Sequence, residues 1–174
     1  MEEQKKVFQK GDYVRYANNG VCQIVDYSTL PSMGEGMFYV LKPNANPNST
    51  IFVPAFNEKL VGRMQHVLSR AEIDALILDA AQGADALWSS DRKERMERFH
   101  GILRDCEPGA LIRLVCCLYE KKQELLSQGK KLSSSDESAM KQAEGLIENE
   151  FAFSLGLSGA EVQDYIRTRL GLAW

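Results

Sequence analysis

The hydrophobic and polar positions of this chain change their period near Ser69. Before Ser69, short apolar runs alternate with polar positions and are bounded by Gly, Pro and Asn, which is typical of strands joined by tight turns. After Ser69, apolar positions recur every three or four residues, which is typical of amphipathic helices. The pattern therefore predicts two domains, a strand-forming domain over residues 1–68 and a helical domain over residues 69–174.

The first domain is predicted to be a small antiparallel sheet. Short strands with tight turns favour a strongly bent sheet of the SH3-like barrel type. The predicted strands lie at Val14–Tyr16, Val21–Tyr27, Met37–Leu41, Thr50–Val53 and Met64–Leu68. A small bent sheet has an unpaired edge, which is either covered by the rest of the fold or available to a strand of another protein. The pattern at Ile51 and Phe52 leaves both interpretations open.

The second domain is predicted to be an all-α bundle of about five helices. Ser69 with Glu72 and Ser158 with Glu161 fit capping boxes, in which the hydroxyl and the carboxylate satisfy free N–H groups of a first turn. Pro108 is well placed to begin a helix, because its missing N–H costs nothing there.

Two helix starts are less well defined by the sequence. One helix is expected to begin near Ser89, capped by Ser89 or Ser90. For another, two registers compete: Ser134 with Glu137, or Ser133 with Asp136. The fold class that follows is α+β with two domains.

Composition and charge restrict the function. The 174 residues are 44% hydrophobic and 26% charged, as in ordinary globular domains. No apolar run approaches the roughly 20 residues that span a bilayer, and the charged N-terminus does not resemble a secretion signal. We therefore expect a cytoplasmic protein without a membrane partner. A net charge of −3 argues against strong, independent binding of nucleic acid.

The sequence offers no catalytic constellation. Phosphate-binding loops, zinc-protease motifs and nucleophile elbows are absent from it. The cysteines lack CxxC spacing, and only two histidines are present, so a structural zinc site is not predicted. The four cysteines, Cys22, Cys106, Cys116 and Cys117, are interpreted as buried reduced thiols. We expect no catalytic residue, metal, cofactor or small-molecule ligand, and an enzyme is the weakest interpretation.

Trp88 is the residue that most invites a functional interpretation. It stands just before a mixed-charge helix start that contains Arg92, Lys93 and Arg95. A Trp is most often largely buried, which gives Trp88 a structural role. The alternative is an exposed indole that stacks on a nucleic-acid base while the three cations hold phosphates.

Several segments carry a family resemblance through their order and spacing. They are Phe8–Tyr16, Asn19–Val21, Tyr39–Lys42, Val53–Asn57, Trp88-Ser89 with Lys93, Leu132-Ser133 and Glu150–Ala152. Together they resemble the CarD-type transcription regulators, over about Phe8 to Leu157. The N-terminal part of the resemblance also extends to the β-module of the transcription-repair coupling factor. The short helical ending favours the CarD type, since the coupling factor continues into helicase motifs.

The resemblance implies a bacterial, non-enzymatic regulator of transcription initiation. Its Tudor-like β-domain would pair with the RNA polymerase β subunit through Thr50, Ile51, Phe52 and Val53. Its helical domain would lie on promoter DNA at the upstream edge of the melted bubble. There Trp88 would wedge into the minor groove without reading sequence, and Lys93 would contact phosphate. The protein would then be found with polymerase on the nucleoid.

The chain departs from the family pattern in ways that lower positive charge. Ser90 and Asp91 follow the Trp-Ser pair where relatives often carry Arg, and Phe52 stands where some relatives have Arg. Glu137 and Ser138 stand where relatives can have Lys and Arg. A competing hypothesis is an adaptor whose helical domain binds a protein instead of DNA. A buried Trp88 favours that hypothesis.

Overall fold

The β-branched and aromatic runs of the N-terminal part of the chain form five strands. The structure, a computed structural model, describes residues 8–171, apart from the side chains of residues 18 and 85. The chain divides into two units between Val67 and Leu68. The strands of the first unit are β1 (Tyr13–Tyr16), β2 (Val21–Thr29), β3 (Met37–Pro43), β4 (Ile51–Pro54) and β5 (Met64–His66), with a short helix α1 (Glu58–Val61) between β4 and β5.

The sheet is antiparallel and open. Its strand order is β4-β3-β2-β1-β5, so β4 and β5 are the two edges. The expected closure into a barrel is therefore absent from the described residues, although the α+β class with two domains is confirmed. The register between β2 and β3 shifts between Ile24 and Asp26, and such a bulge increases the bend and twist of a sheet.

One face of the sheet carries the core of the first unit. Side chains directly opposite each other on paired strands share a face, so Leu41 and Ile24 lie together with Val14 and Cys22. The buried members of this core are Val14, Cys22, Ile24, Tyr39, Leu41, Val53 and Met64. The opposite, outer face of β3 and β4 carries the alternate residues of each strand.

Over residues 68–171 the second unit contains five α-helices, in agreement with the predicted number. They are α2 (Arg70–Ala80), α3 (Arg92–Asp105), α4 (Pro108–Ser127), α5 (Ser134–Leu155) and α6 (Gly159–Leu170), with a 3₁₀ turn at Ala84–Leu87. Their apolar stripes meet in one core, whose largest fully buried side chains include Phe99, Phe151 and Leu118. In residues 8–171, no helix is both long and apolar enough to cross a membrane.

The helix starts follow from side-chain caps. The hydroxyl of Ser69 accepts from the N–H of Glu72 at 3.2 Å, and Ser158 forms the predicted capping box with Glu161. Pro108 is the first residue of α4, as expected.

The structure also defines the starts of α5 and α3, which the sequence left uncertain. For α5 the register is Ser133 with Asp136, since the Ser133 hydroxyl accepts from the Asp136 N–H at 3.1 Å. The expected start of α3 at Ser89 was wrong. Asp91 is the cap, and its carboxylate accepts from the N–H of Glu94 at 3.0 Å. A carboxylate at this position also interacts favourably with the helix dipole, which a serine hydroxyl does less strongly.

Candidate nucleic-acid interface and docking edge

Trp88 lies between the 3₁₀ turn and α3 and is half-buried. Part of its indole packs against the core of the helical unit. Trp88 is therefore partly a core side chain and partly an exposed indole, so neither of the two interpretations from the sequence describes it completely. The ring is anchored on one side by the fold, and the rest of it reaches the surface.

Two cations lie close to the Trp88 ring. The guanidinium carbon of Arg95 is 4.3 Å from the ring centroid, and the ammonium nitrogen of Lys121 is 5.0 Å from it. Cations within about 6 Å of an indole are attracted by the quadrupole of its π-system. Sequence reasoning missed Lys121, because it lies on α4 and no local spacing links it to Trp88.

Arg95 is buried and makes an ion pair across two helices. Its Nε donates to Oδ1 of Asp136 at 2.9 Å and its Nη2 donates to Oδ2 at 3.1 Å. Its third nitrogen, Nη1, donates to the backbone carbonyl of Ser89 at 2.9 Å. Arg95 is 7% exposed and Asp136 is 2% exposed. This guanidinium is occupied inside the fold, which argues against the phosphate contact expected for Arg95 and gives it a positioning role beside Trp88.

Asp136 is itself held by the start of α5. The hydroxyl of Ser133 donates to Oδ2 of Asp136 at 2.6 Å while accepting from the Asp136 N–H. The Ser133 hydroxyl therefore fixes the orientation of the Asp136 carboxylate that binds the Arg95 guanidinium. Arg95 of α3 also donates to the carbonyl of Ser89, the residue after Trp88. Through Arg95 and its bond to Asp136, Ser89 is connected to both α3 and α5.

Arg92 and Lys93 are exposed on the first turn of α3. Nη2 of Arg92 donates to the hydroxyl of Ser135 at 2.8 Å, which brings Arg92 toward the start of α5. Within residues 8–171, Lys93 forms no ion pair. Of the cations expected to contact DNA, these two are placed at the surface where a phosphate could reach them.

Other charges near Trp88 are compensated by carboxylates. Nη2 of Arg98 pairs with Oε1 of Glu94 at 2.8 Å, and the Lys121 ammonium pairs with Glu124 at 3.1 Å. The positive charge of this surface is therefore smaller than its number of basic side chains suggests.

The predicted docking segment lies at an edge of the sheet. Strand β4 pairs with β3 on one side, with Ile51 opposite Leu41 and Phe52 opposite Val40. Its other side has no strand partner among the described residues. Phe52 is 39% exposed, and Val53 is fully buried in the core. Thr50 is exposed and precedes the strand.

The cysteines lie inside the two cores. All four are buried and free, as the sequence predicted. Burial raises the pKa of Cys22 to about 11 and, together with the charge of Glu120, raises the pKa of Cys116 to about 11. The described residues contain no cluster of His, Cys, Asp and Glu that could hold a metal ion.

Residues 8–68 match the protein family described as the CarD-like/TRCF RID domain. The match covers the whole sheet and ends at the boundary of the helical unit. The first unit is therefore similar to domains that interact with RNA polymerase. No curated protein matches the chain.

Proposed function

We propose that this chain, whose residues 8–68 form a CarD-like/TRCF RID domain, is a regulator of transcription initiation that acts without catalysis. The β-domain docks on the β subunit of RNA polymerase through the free edge of β4. The helical unit contacts promoter DNA at the upstream edge of the melted bubble. Trp88 enters the minor groove there, and Arg92 and Lys93 contact phosphates.

The free edge of β4 supports the docking step. An unpaired strand offers a row of backbone N–H and C=O groups that a strand of another protein can complete. Ile51 and Phe52 keep part of their side chains exposed on this strand, while Val53 fixes it to the core. The docking strand is therefore rigid before its partner arrives, which lowers the entropic cost of binding.

The observation that carries the DNA step is the fixed, half-buried indole of Trp88. A side chain that wedges between bases must not collapse into its own protein, and Arg95 with Asp136 holds the Trp88 segment in place. Apolar wedges of this kind unstack a base step and kink the duplex without reading sequence. A wedge that fits melted DNA better than duplex DNA shifts the closed and open promoter complexes toward the open one.

Charge limits how strongly the helical unit binds DNA by itself. Of the basic residues in the first turn of α3, Arg92 and Lys93 are exposed and Arg95 is buried, while Arg98 and Lys121 are paired with carboxylates. Few neutralised phosphates release few counterions, so the intrinsic affinity is modest. Docking on polymerase compensates for this modest affinity, because the tethered helical unit is then present at its DNA site at an effective concentration near millimolar.

The same ion pairs favour the second hypothesis, a helical unit that binds a protein. Glu94 and Glu124 neutralise Arg98 and Lys121, which removes positive charge that DNA would need, while an amphipathic Trp is common at protein interfaces. The two hypotheses differ in what Trp88 touches once the β-domain is docked.

Co-purification with the cognate RNA polymerase, with and without a promoter fragment, tests the proposal. We expect the chain to bind polymerase in both cases, and to protect the upstream edge of the bubble only when Trp88 is present. Binding to polymerase with no change in the promoter footprint on Trp88→Ala would support the adaptor instead. Absence of polymerase binding would overturn both.

A further inference from the structure

An apolar patch lies on the outer face of the sheet, next to the free edge of β4. Val40 lies opposite Phe52, and Phe38 lies opposite Pro54, so these four side chains share the face that points away from the core. Phe38 and Val40 are buried, whereas Phe52 is 39% exposed. None of the four carries a charge.

Phe56 extends this patch beyond the end of the strand. The N–H of Ala55 donates to the carbonyl of Met37 at 2.9 Å, which keeps the chain beside β3 after β4 has ended. The ring of Phe56 then meets Phe38 edge-on, with ring centroids 5.9 Å apart. Phe56 is nevertheless 64% exposed. A large apolar side chain is thus held in place on one side and left open on the other.

The Phe56 ring packs against the backbone of Gly36. A Cβ at Gly36 would come within 2.8 Å of the Phe56 ring, and the backbone φ of +103° disfavours any residue with a side chain. The ring therefore lies against bare backbone. A fixed aromatic ring loses little side-chain entropy when a partner covers it, which is the property of a binding anchor.

We propose that Phe56, together with Phe52, is the apolar anchor of the docking surface, and that it receives an apolar side chain of the polymerase strand that adds to β4. The inference rests on the proposed docking at this edge. An added strand places alternate side chains beside Phe52 and Pro54, which are apolar. The charged residue in register with them on this face, Asp26, lies opposite Val40 on β2, two strands away from β4. Recognition on this face is therefore apolar and weakly dependent on salt.

The test measures the affinity of the full chain for the cognate polymerase core enzyme. Phe56→Ser should weaken binding by about tenfold or more, as for truncation of an interface anchor. Phe56→Leu should retain most of the affinity because it keeps an apolar side chain. Leu78→Ser is the matched control, since Leu78 is 62% exposed but lies on α2 of the helical unit. The control should bind like the unmodified chain.

Each alternative outcome is distinguishable. If the unmodified chain does not bind polymerase, the proposed function fails. If Phe52→Glu abolishes binding while Phe56→Ser binds normally, docking at β4 stands and the anchor is overturned. The anchor is also overturned if Leu78→Ser weakens binding equally, or if affinity falls more than about tenfold between about 0.1 and 0.5 M salt, where screened charges would respond.

Discussion

The guanidinium of Arg95 binds the carboxylate of Asp136 through two hydrogen bonds of 2.9 and 3.1 Å and lies 4.3 Å from the ring centroid of Trp88. The pair connects α3 to α5, and a third hydrogen bond reaches the carbonyl of Ser89. One buried ion pair thus fixes the segment that presents the indole. Buried ion pairs add little stability over apolar side chains of similar size, so a role in fixing one conformation is the better account of this pair.

Removal of one partner should be costly. Asp136→Ala leaves the Arg95 guanidinium buried without its carboxylate, and we expect a loss of about 3–5 kcal/mol in the free energy of unfolding. Urea denaturation measures it. Glu137→Ala is the control, because Glu137 pairs only loosely with Lys141 at 3.9 Å on the surface, and it should change stability by less than about 0.5 kcal/mol. Equal effects of the two substitutions would contradict the structural assignment.

Replacement of both partners separates stability from positioning. The double variant Arg95→Met with Asp136→Leu should recover most of the stability lost in Asp136→Ala, because no charge is left unpaired. It should not recover the position of Trp88, since the hydrogen bond to Ser89 and the Arg95 cation over the ring are gone and only Lys121 remains near the ring. Replacing Trp174 with Phe leaves Trp88 as the single tryptophan, so its fluorescence reports the exposure of this indole. A stable double variant with unchanged acrylamide quenching would show that the pair does not position the indole.

Lys93 should contribute one phosphate contact. Lys93→Ala is expected to leave folding and polymerase binding unchanged, and to lower the slope of log affinity against log salt by about 1 for the promoter complex. Lys59→Ala, on α1 of the β-domain, is the charge-matched control and should leave the slope unchanged. An unchanged slope for Lys93→Ala would place this ammonium away from DNA.

The thiols should be unreactive in the folded protein. Burial raises the pKa of both Cys22 and Cys116 to about 11, and alkylating reagents attack the thiolate. Since the folded pKa is raised, the thiolate fraction near pH 8 is about a hundredfold lower than for a free thiol. Iodoacetamide labelling should be slow in buffer and fast in denaturant. Rapid native labelling of either cysteine would contradict its burial.

Much of the fold was predictable because its signals are local. Gly and Pro boundaries define the strands, and serine caps place the starts of α2 and α6. The start of α3 was misplaced because three adjacent residues, Ser89 to Asp91, can all cap a helix and only tertiary contacts select one. Barrel closure was also not decidable locally, since it depends on whether β4 and β5 meet.

The candidate site was predictable only in part. Trp88, Arg92 and Lys93 are close in the sequence, and all three have exposed surface. The burial of Arg95 depends on Asp136, which is 41 residues further along the chain. Lys121 reaches the ring from α4. Contacts between distant helices leave no periodic signal in a single sequence, so they were found only in the structure.

The dissociation rate of open promoter complexes tests the central claim most directly. Trp88→Ala should fold with a loss of about 1–3 kcal/mol, less than the ~3–5 kcal/mol of a fully buried Trp, because the ring is half-buried. Polymerase with the unmodified chain should hold its promoter about five- to a hundredfold longer than polymerase with Trp88→Ala, since one stacked aromatic contributes ~1–3 kcal/mol. Both proteins should bind polymerase equally. Equal open-complex lifetimes with a folded, polymerase-bound Trp88→Ala variant would contradict the account.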